Sequence, residues 1–106
     1  MTTSTATKSI MVRYKTSEAQ ADANANLVHA VFDELRARTP KGIRYATYRL
    51  SDGVTFVHVA TLETPDENPL AVLASFNAFQ KELKDRCVEP PVFTDLSIVD
   101  SYGWVA

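Results

Sequence analysis

The chain has 106 residues and a mass of 11.7 kDa, the size of one domain. Hydrophobic residues make up 45% and charged residues 23%, a globular composition that excludes disordered and fibrous classes. Eleven Lys and Arg against thirteen Asp and Glu leave a net charge of −2, which removes the electrostatic case for nucleic acid or an anionic membrane. No apolar run approaches the roughly 20 residues that span a bilayer. The first eight residues are polar and lack the apolar centre of a signal peptide, and Cys87 is alone, so a reducing, cytoplasmic setting is expected.

Residues 1 to 7 are small and polar without a period, which predicts a mobile tail ahead of one domain over 8–106. From Lys8 the chain alternates, with Ile10, Val12 and Tyr14 on one parity and Met11, Arg13 and Lys15 on the other, the pattern of a strand. Ser17 to Gln20 has the spacing of a capping box. Leu27, Val28, Val31, Phe32 and Leu35 then form one apolar helical stripe, with Asp22, Asn26, His29, Asp33 and Arg36 away from it. Pro40 and Gly42 end that helix.

Two segments rich in β-branched and aromatic residues, 43–51 and 54–62, flank Asp52-Gly53, which predicts a hairpin closed by a type I′ turn. That register sets Arg49 opposite Phe56, Thr47 opposite His58 and Tyr45 opposite Ala60. The other face of the hairpin then carries Arg44, Ala46, Tyr48, Leu50, Val57 and Val59. Asn68 and Pro69 suit a helix entry, as N-cap and first helical residue. Phe76, Phe79 and Leu83 recur at helical spacing in a second helix ending near Cys87, and 92–102 reads as the last strand.

Strand, helix, strand, strand, helix, strand is an α+β order, and right-handed crossovers give a ferredoxin-like βαββαβ fold with a four-stranded antiparallel sheet. Two helices cover one face of such a sheet, yet the strands carry apolar side chains on both parities. A second copy covering the other face is therefore expected, a homodimer. Burying even ~500 Å² of apolar surface there contributes roughly 12 kcal/mol before the cost of association.

With this order, the hairpin RYATYRLSDGVTFVHVATLE and the helical segment SFNAFQKEL, the chain over residues 8 to 102 resembles the dimeric α+β barrel superfamily. More narrowly, it resembles the antibiotic-biosynthesis-monooxygenase-like group. The resemblance implies two sheets packed face to face in a dimeric α+β barrel and a pocket between each sheet and its helices. Some members of that group oxygenate phenolic polyketides with molecular oxygen and no metal or flavin, and others degrade haem. In the haem-degrading branch a tryptophan ends the third strand and a histidine lies on the second helix. The matching positions here are Leu62 and Leu83, and the single tryptophan is Trp104, so haem degradation is not expected.

His58 is the leading candidate for chemistry, because a histidine between Val57 and Val59 is set for desolvation, which lowers its pKa and leaves it able to accept a proton. On its face the register places Tyr45, Thr47 and Arg49. Such a set fits an ionised phenol, with His58 as base, Arg49 on the oxyanion and Tyr45 as donor or stacking partner. The plainer alternative is a core histidine satisfied by Thr47 or water. The register leaves open which layer this face meets, and the family matching puts it on the helix side. Tyr14, Tyr48, Phe56, Phe76 and Phe79 are candidate walls for a small aromatic ligand, with Arg44 secondary, although packing alone accounts for aromatic residues in strands. His29 pairs with Asp33 in this reading, and Cys87 is a buried inert thiol. Two histidines and one cysteine do not make a structural zinc site, and no cofactor fingerprint is present. Two functions remain: a cofactor-independent monooxygenase-like enzyme on a small hydroxyaromatic molecule, or a non-catalytic homodimeric module for ligand binding or structure.

Overall fold

The structure, a computed structural model, describes residues 7–103; all of the expected tail over 1–7 except Thr7, and Trp104, lie outside the described residues. Four strands, β1 (Lys8–Thr16), β2 (Ile43–Arg49), β3 (Thr55–Leu62) and β4 (Cys87–Leu96), form one antiparallel sheet in the order β2-β3-β1-β4. Helix α1 (Ala21–Arg38) crosses from β1 to β2, and α2 (Ala74–Lys81) with the short α3 (Leu83–Arg86) leads from β3 to β4. This is the expected α+β, ferredoxin-like sheet.

Residues paired across the strands share a face. Val12, His58, Thr47 and Phe93 lie in one row, Ile10, Ala60 and Tyr45 in the next, and Tyr14, Phe56 and Arg49 in another. The helices cover this face. Its core joins Tyr14 and Phe56 of the sheet to Val28 and Val31 of α1, Leu70 and Leu73 of the connector, and Phe79 and Leu83. The Glu34 carboxylate ties α1 to α2 by accepting from the Ser75 amide at 3.0 Å and the Ser75 hydroxyl at 2.6 Å. These bonds, reinforced by Arg38, hold its pKa below the usual carboxylate range.

Several local expectations are corrected. Ser17 makes no side-chain cap; it starts a short 3-10 turn over 18–20, and α1 begins after it. The helix closes on Thr39, which is itself left-handed at φ 45°, with Gly42 (φ 83°) turning the chain into β2. Between β2 and β3 the register is as expected, but the turn is not type I′. Asp52 has no positive φ, and Gly53 (φ 78°) donates its N–H to the Leu50 carbonyl at 2.9 Å. The Asp52 carboxylate accepts from the Val54 and Thr55 amides at 3.0 and 2.9 Å and from the Thr55 hydroxyl at 2.5 Å. Those donors hold its pKa down at about 2. Asn68 accepts from the Leu70 amide at 2.9 Å and Pro69 follows it, as expected, although the helix they open is a single 3-10 turn.

The last strand begins at Cys87, before the proline pair, and ends at Leu96. Between Arg13 and Lys15 its register slips by one residue, and it slips again before Thr16. Pro90 and Pro91 fall within the first of these slips, on an edge strand, where no ladder N–H is demanded of them.

Candidate active site

His58 stands mid-strand on the helix-covered face, 5% exposed. Val12 and Thr47 lie directly opposite it, and the diagonal positions on the same face hold Tyr14 and Tyr45. Both imidazole nitrogens are engaged. Nε2 is 2.7 Å from the Tyr14 hydroxyl. Nδ1 is 2.7 Å from the Tyr45 hydroxyl and 3.0 Å from that of Thr47. Phe79 of α2 covers the ring, with centroids 5.3 Å apart. Burial pulls the His58 pKa down to about 4, so the ring is neutral at pH 7. Burial likewise pushes Tyr45 up to about 12 and Tyr14 well above its ordinary value, so both phenols keep their protons.

A second polar layer stands behind Tyr14. Asn24, 0% exposed on α1, donates Nδ2–H to the Tyr14 hydroxyl at 2.8 Å. Its Oδ1 accepts from Arg86 Nε at 2.9 Å. Arg86 is 6% exposed, donates also to the Phe79 carbonyl at 2.7 Å, and lies 5.3 Å over the Phe79 ring. No carboxylate pairs with Arg86 among the described residues.

Above the imidazole is a cavity of about 330 Å³. Its floor is Val12, Tyr14, Tyr45, His58 and Ala60, and its opposite wall is Phe76, Phe79 and Leu83. Asn68, Asn77 and Gln80 add amides, and no charged side chain among the described residues lines it. A cavity of this size, mostly apolar with polar groups gathered at one place, is the ordinary form of a small-molecule site. A hollow of about 510 Å³ lies on the opposite face, beside Arg44, Tyr48, Val59 and Leu96, and His58 is not among its lining residues. Among the described residues no group of three or more His, Cys, Asp or Glu is placed to hold a metal ion.

The structure thus brings Tyr14, Tyr45, Phe76 and Phe79 together with His58, and leaves three expected residues elsewhere. Arg49 points away: it donates to the Gly53 carbonyl at 2.7 Å and to Asp22 at 3.1 Å, and covers Phe56 at 5.5 Å. At the strand end, those partners and solvent are nearer to it than the ring two residues away. Tyr48 lies on the opposite face, half exposed. Phe56, 2% exposed, stacks on Tyr14 at 5.6 Å and is core beneath the site, not a cavity wall. Asp33 pairs with Arg36 at 3.4 Å, not with His29. Cys87 is half-buried at the start of β4, and burial raises its pKa.

Asn24 and Arg86 are the functional-site residues that the sequence reading missed. Asn24 lies four residues before Val28, on the buried stripe of α1; Arg86 lies three after Leu83, on the line of Phe79 and Leu83. A polar residue in register with an apolar stripe was the available signal.

No protein-family model and no curated protein matches the chain by sequence. Solved structures do match in shape. Rv0793 of Mycobacterium tuberculosis superposes with a TM-score of 0.73 at 19% identity, covering 91% of this chain and 98% of that one. A Nitrosomonas europaea protein provisionally named antibiotic biosynthesis monooxygenase gives 0.72 at 15% identity, covering 92% and 94%. One from Caulobacter crescentus, provisionally named likewise, gives 0.69 at 18%, covering 89% and 91%. The fold is that of the antibiotic biosynthesis monooxygenase-like proteins. At these identities the likeness is one of fold, and the chemistry has to be argued from the cavity itself.

Proposed function

We propose that the chain is a small-molecule enzyme of the monooxygenase type that ionises a neutral hydroxyaromatic ligand above His58 and lets the electron-rich anion react with dioxygen. The observation that carries this reading is the uncharged cavity of about 330 Å³ whose floor is a phenol–imidazole–phenol set. An uncharged, aromatic-walled pocket favours a flat apolar ligand, and the two tyrosine hydroxyls are the groups placed to bond its oxygen. His58 does not meet the ligand directly, since both its nitrogens are taken; a proton passing to the ring travels through the Tyr14 hydroxyl to Nε2. Tyr45 takes the oxyanion-binding role expected of Arg49. The provisional names of the Nitrosomonas europaea and Caulobacter crescentus proteins accord with this chemistry.

The same reading includes a homodimer in a dimeric barrel. Met11, Val57 and Val59 are half-buried on the face without helices, and Tyr48, Leu96 and Ile98 around them are exposed, an apolar surface suited to a second copy.

A second reading, a non-catalytic binding module, is favoured by the enclosure of His58 and the engagement of both its nitrogens. Anthrone in air-saturated buffer separates the two. The enzyme reading expects anthraquinone and oxygen uptake above the uncatalysed rate, falling by roughly 10²-fold or more in Tyr45→Phe and His58→Ala. Anthrone that quenches protein fluorescence on binding but yields no product above background supports the module. Neither binding nor turnover overturns both.

A further inference from the structure

We propose that Arg86 and Asn24 are positioning residues that fix His58 as its Nδ1–H tautomer and so leave the Tyr45 hydroxyl proton free to point into the cavity. The reasoning follows the hydrogens from the one group that has no choice. A guanidinium donates and never accepts. The Asn24 atom 2.9 Å from Arg86 Nε is therefore its oxygen, and the amide cannot flip. Its Nδ2–H is then directed at the Tyr14 oxygen, 2.8 Å away. Tyr14, already accepting from Asn24, has an acceptor for its own hydrogen at His58 Nε2, 2.7 Å away. A neutral imidazole carries one proton, and with Nε2 accepting, that proton is on Nδ1.

From Nδ1 it is donated to the Tyr45 oxygen at 2.7 Å, with the Thr47 oxygen at 3.0 Å beside it. The Tyr45 hydrogen is the one that His58 does not consume, and Tyr45 lines the cavity. Run the other way, the chain fails: Tyr14 would accept from both Asn24 and His58, and its buried hydroxyl hydrogen would lose the His58 acceptor. Donation therefore runs from Arg86 through Asn24, Tyr14 and His58 to Tyr45, and a ligand meets a donor at Tyr45. The ligand atom seated there is an acceptor, a carbonyl or a deprotonated hydroxyl oxygen. This takes its site from the function proposed above, but the tautomer is read on the ligand-free protein, so an absence of turnover and an absence of the tautomer are separate results.

The test is two-bond ¹H–¹⁵N correlation on protein labelled with ¹⁵N-histidine at pH 7.5, in which a protonated ring nitrogen and an unprotonated one resonate far apart. Wild type is expected with His58 Nδ1 protonated; a protonated Nε2, or averaged signals, overturns the proposal. Asn24→Asp reverses the chain with an isosteric change. A carboxylate accepts from both Arg86 and Tyr14, Tyr14 then accepts from His58, and the proton is expected on Nε2. Nδ1 unchanged as the sole protonated nitrogen in folded Asn24→Asp overturns the role of Asn24. Should that variant not fold, Arg86→Lys and Arg86→Gln decide. Lysine is also donor-only and is expected to keep the Nδ1–H form, whereas glutamine can present either end and is expected to give a mixture. A fixed Nδ1–H form in both overturns the role of Arg86, since a merely structural arginine would not move the proton.

Discussion

His58 makes the stability of this protein depend on pH in a window where little else titrates by its carboxylates. Its pKa in the fold is about 4, against an ordinary value near 6.5, because burial disfavours the charged ring. The unfolded chain takes up a proton at this residue as pH falls through 6.5, and the folded chain does not until pH nears 4. Stability from this group is therefore complete above 6.5 and is lost on the way down. Between pH 7 and pH 5 the loss is about 2 kcal/mol, and over the whole range it approaches about 3 kcal/mol. Asp52, near 2 in the fold, and Glu34, also lowered, lose their contributions mainly below pH 5, outside the steepest part. Urea unfolding at fixed protein concentration, run at pH 7, 6 and 5 on wild type and on His58→Gln, isolates the effect, and fixing the concentration removes any change due to association. The variant is expected to be less stable at pH 7 and to show a much flatter profile. A wild-type profile that is flat between pH 7 and 5, or an equal slope in the variant, would refute the account of a desolvated neutral imidazole.

Two further perturbations probe the cavity wall and the open face. Phe79→Ala removes a side chain 4% exposed that packs at a tilt against His58 and lies under Arg86, and is expected to cost about 3–5 kcal/mol in urea unfolding while enlarging the cavity; a loss under about 1 kcal/mol would mean that Phe79 does not hold the site closed. Val59→Arg places a charge in the centre of the uncovered sheet face, away from the cavity. Sedimentation is expected to drop from twice 11.7 kDa to 11.7 kDa with the circular dichroism spectrum retained, and a dimer that persists would remove that face from the interface.

The parts of this fold that rest on period and pairing were legible in the sequence. Alternation places β1 and the hairpin, and because a hairpin register depends only on the sum of paired positions, Thr47 faces His58 whether the turn holds two residues or four. What was not legible depends on choices made outside the local window. Asp52 is drawn to the amides of Val54 and Thr55, which opens the turn without moving the register. Pro90 and Pro91 lie ahead of the strand expected over 92–102, yet an edge strand with two slips in its ladder accommodates them. Arg49 and Arg86 are the sharpest case. Both are arginines near an aromatic core, but Arg49 ends a strand beside solvent and Asp22, while Arg86 closes a helix turn facing Asn24. Only the packing of α3 against α1 distinguishes them.

The placement of Arg86 has a physical consequence for the chemistry proposed above. A buried cation with no carboxylate partner among the described residues is costly in an apolar setting, and hydrogen bonds to Asn24 and the Phe79 carbonyl offset part of that cost. Had the same charge stood in the cavity, as expected of Arg49, it would have brought water with it and drawn anions from solution. Set behind Asn24 and Tyr14, it leaves the cavity lining uncharged while still favouring negative charge at the tyrosine layer, the direction in which it acts on the Tyr14 phenol. Its field is weak on a neutral ligand and stronger on an anion formed there. The interaction therefore grows as the ligand loses its proton, which is the condition for a contact that lowers a barrier instead of merely tightening binding.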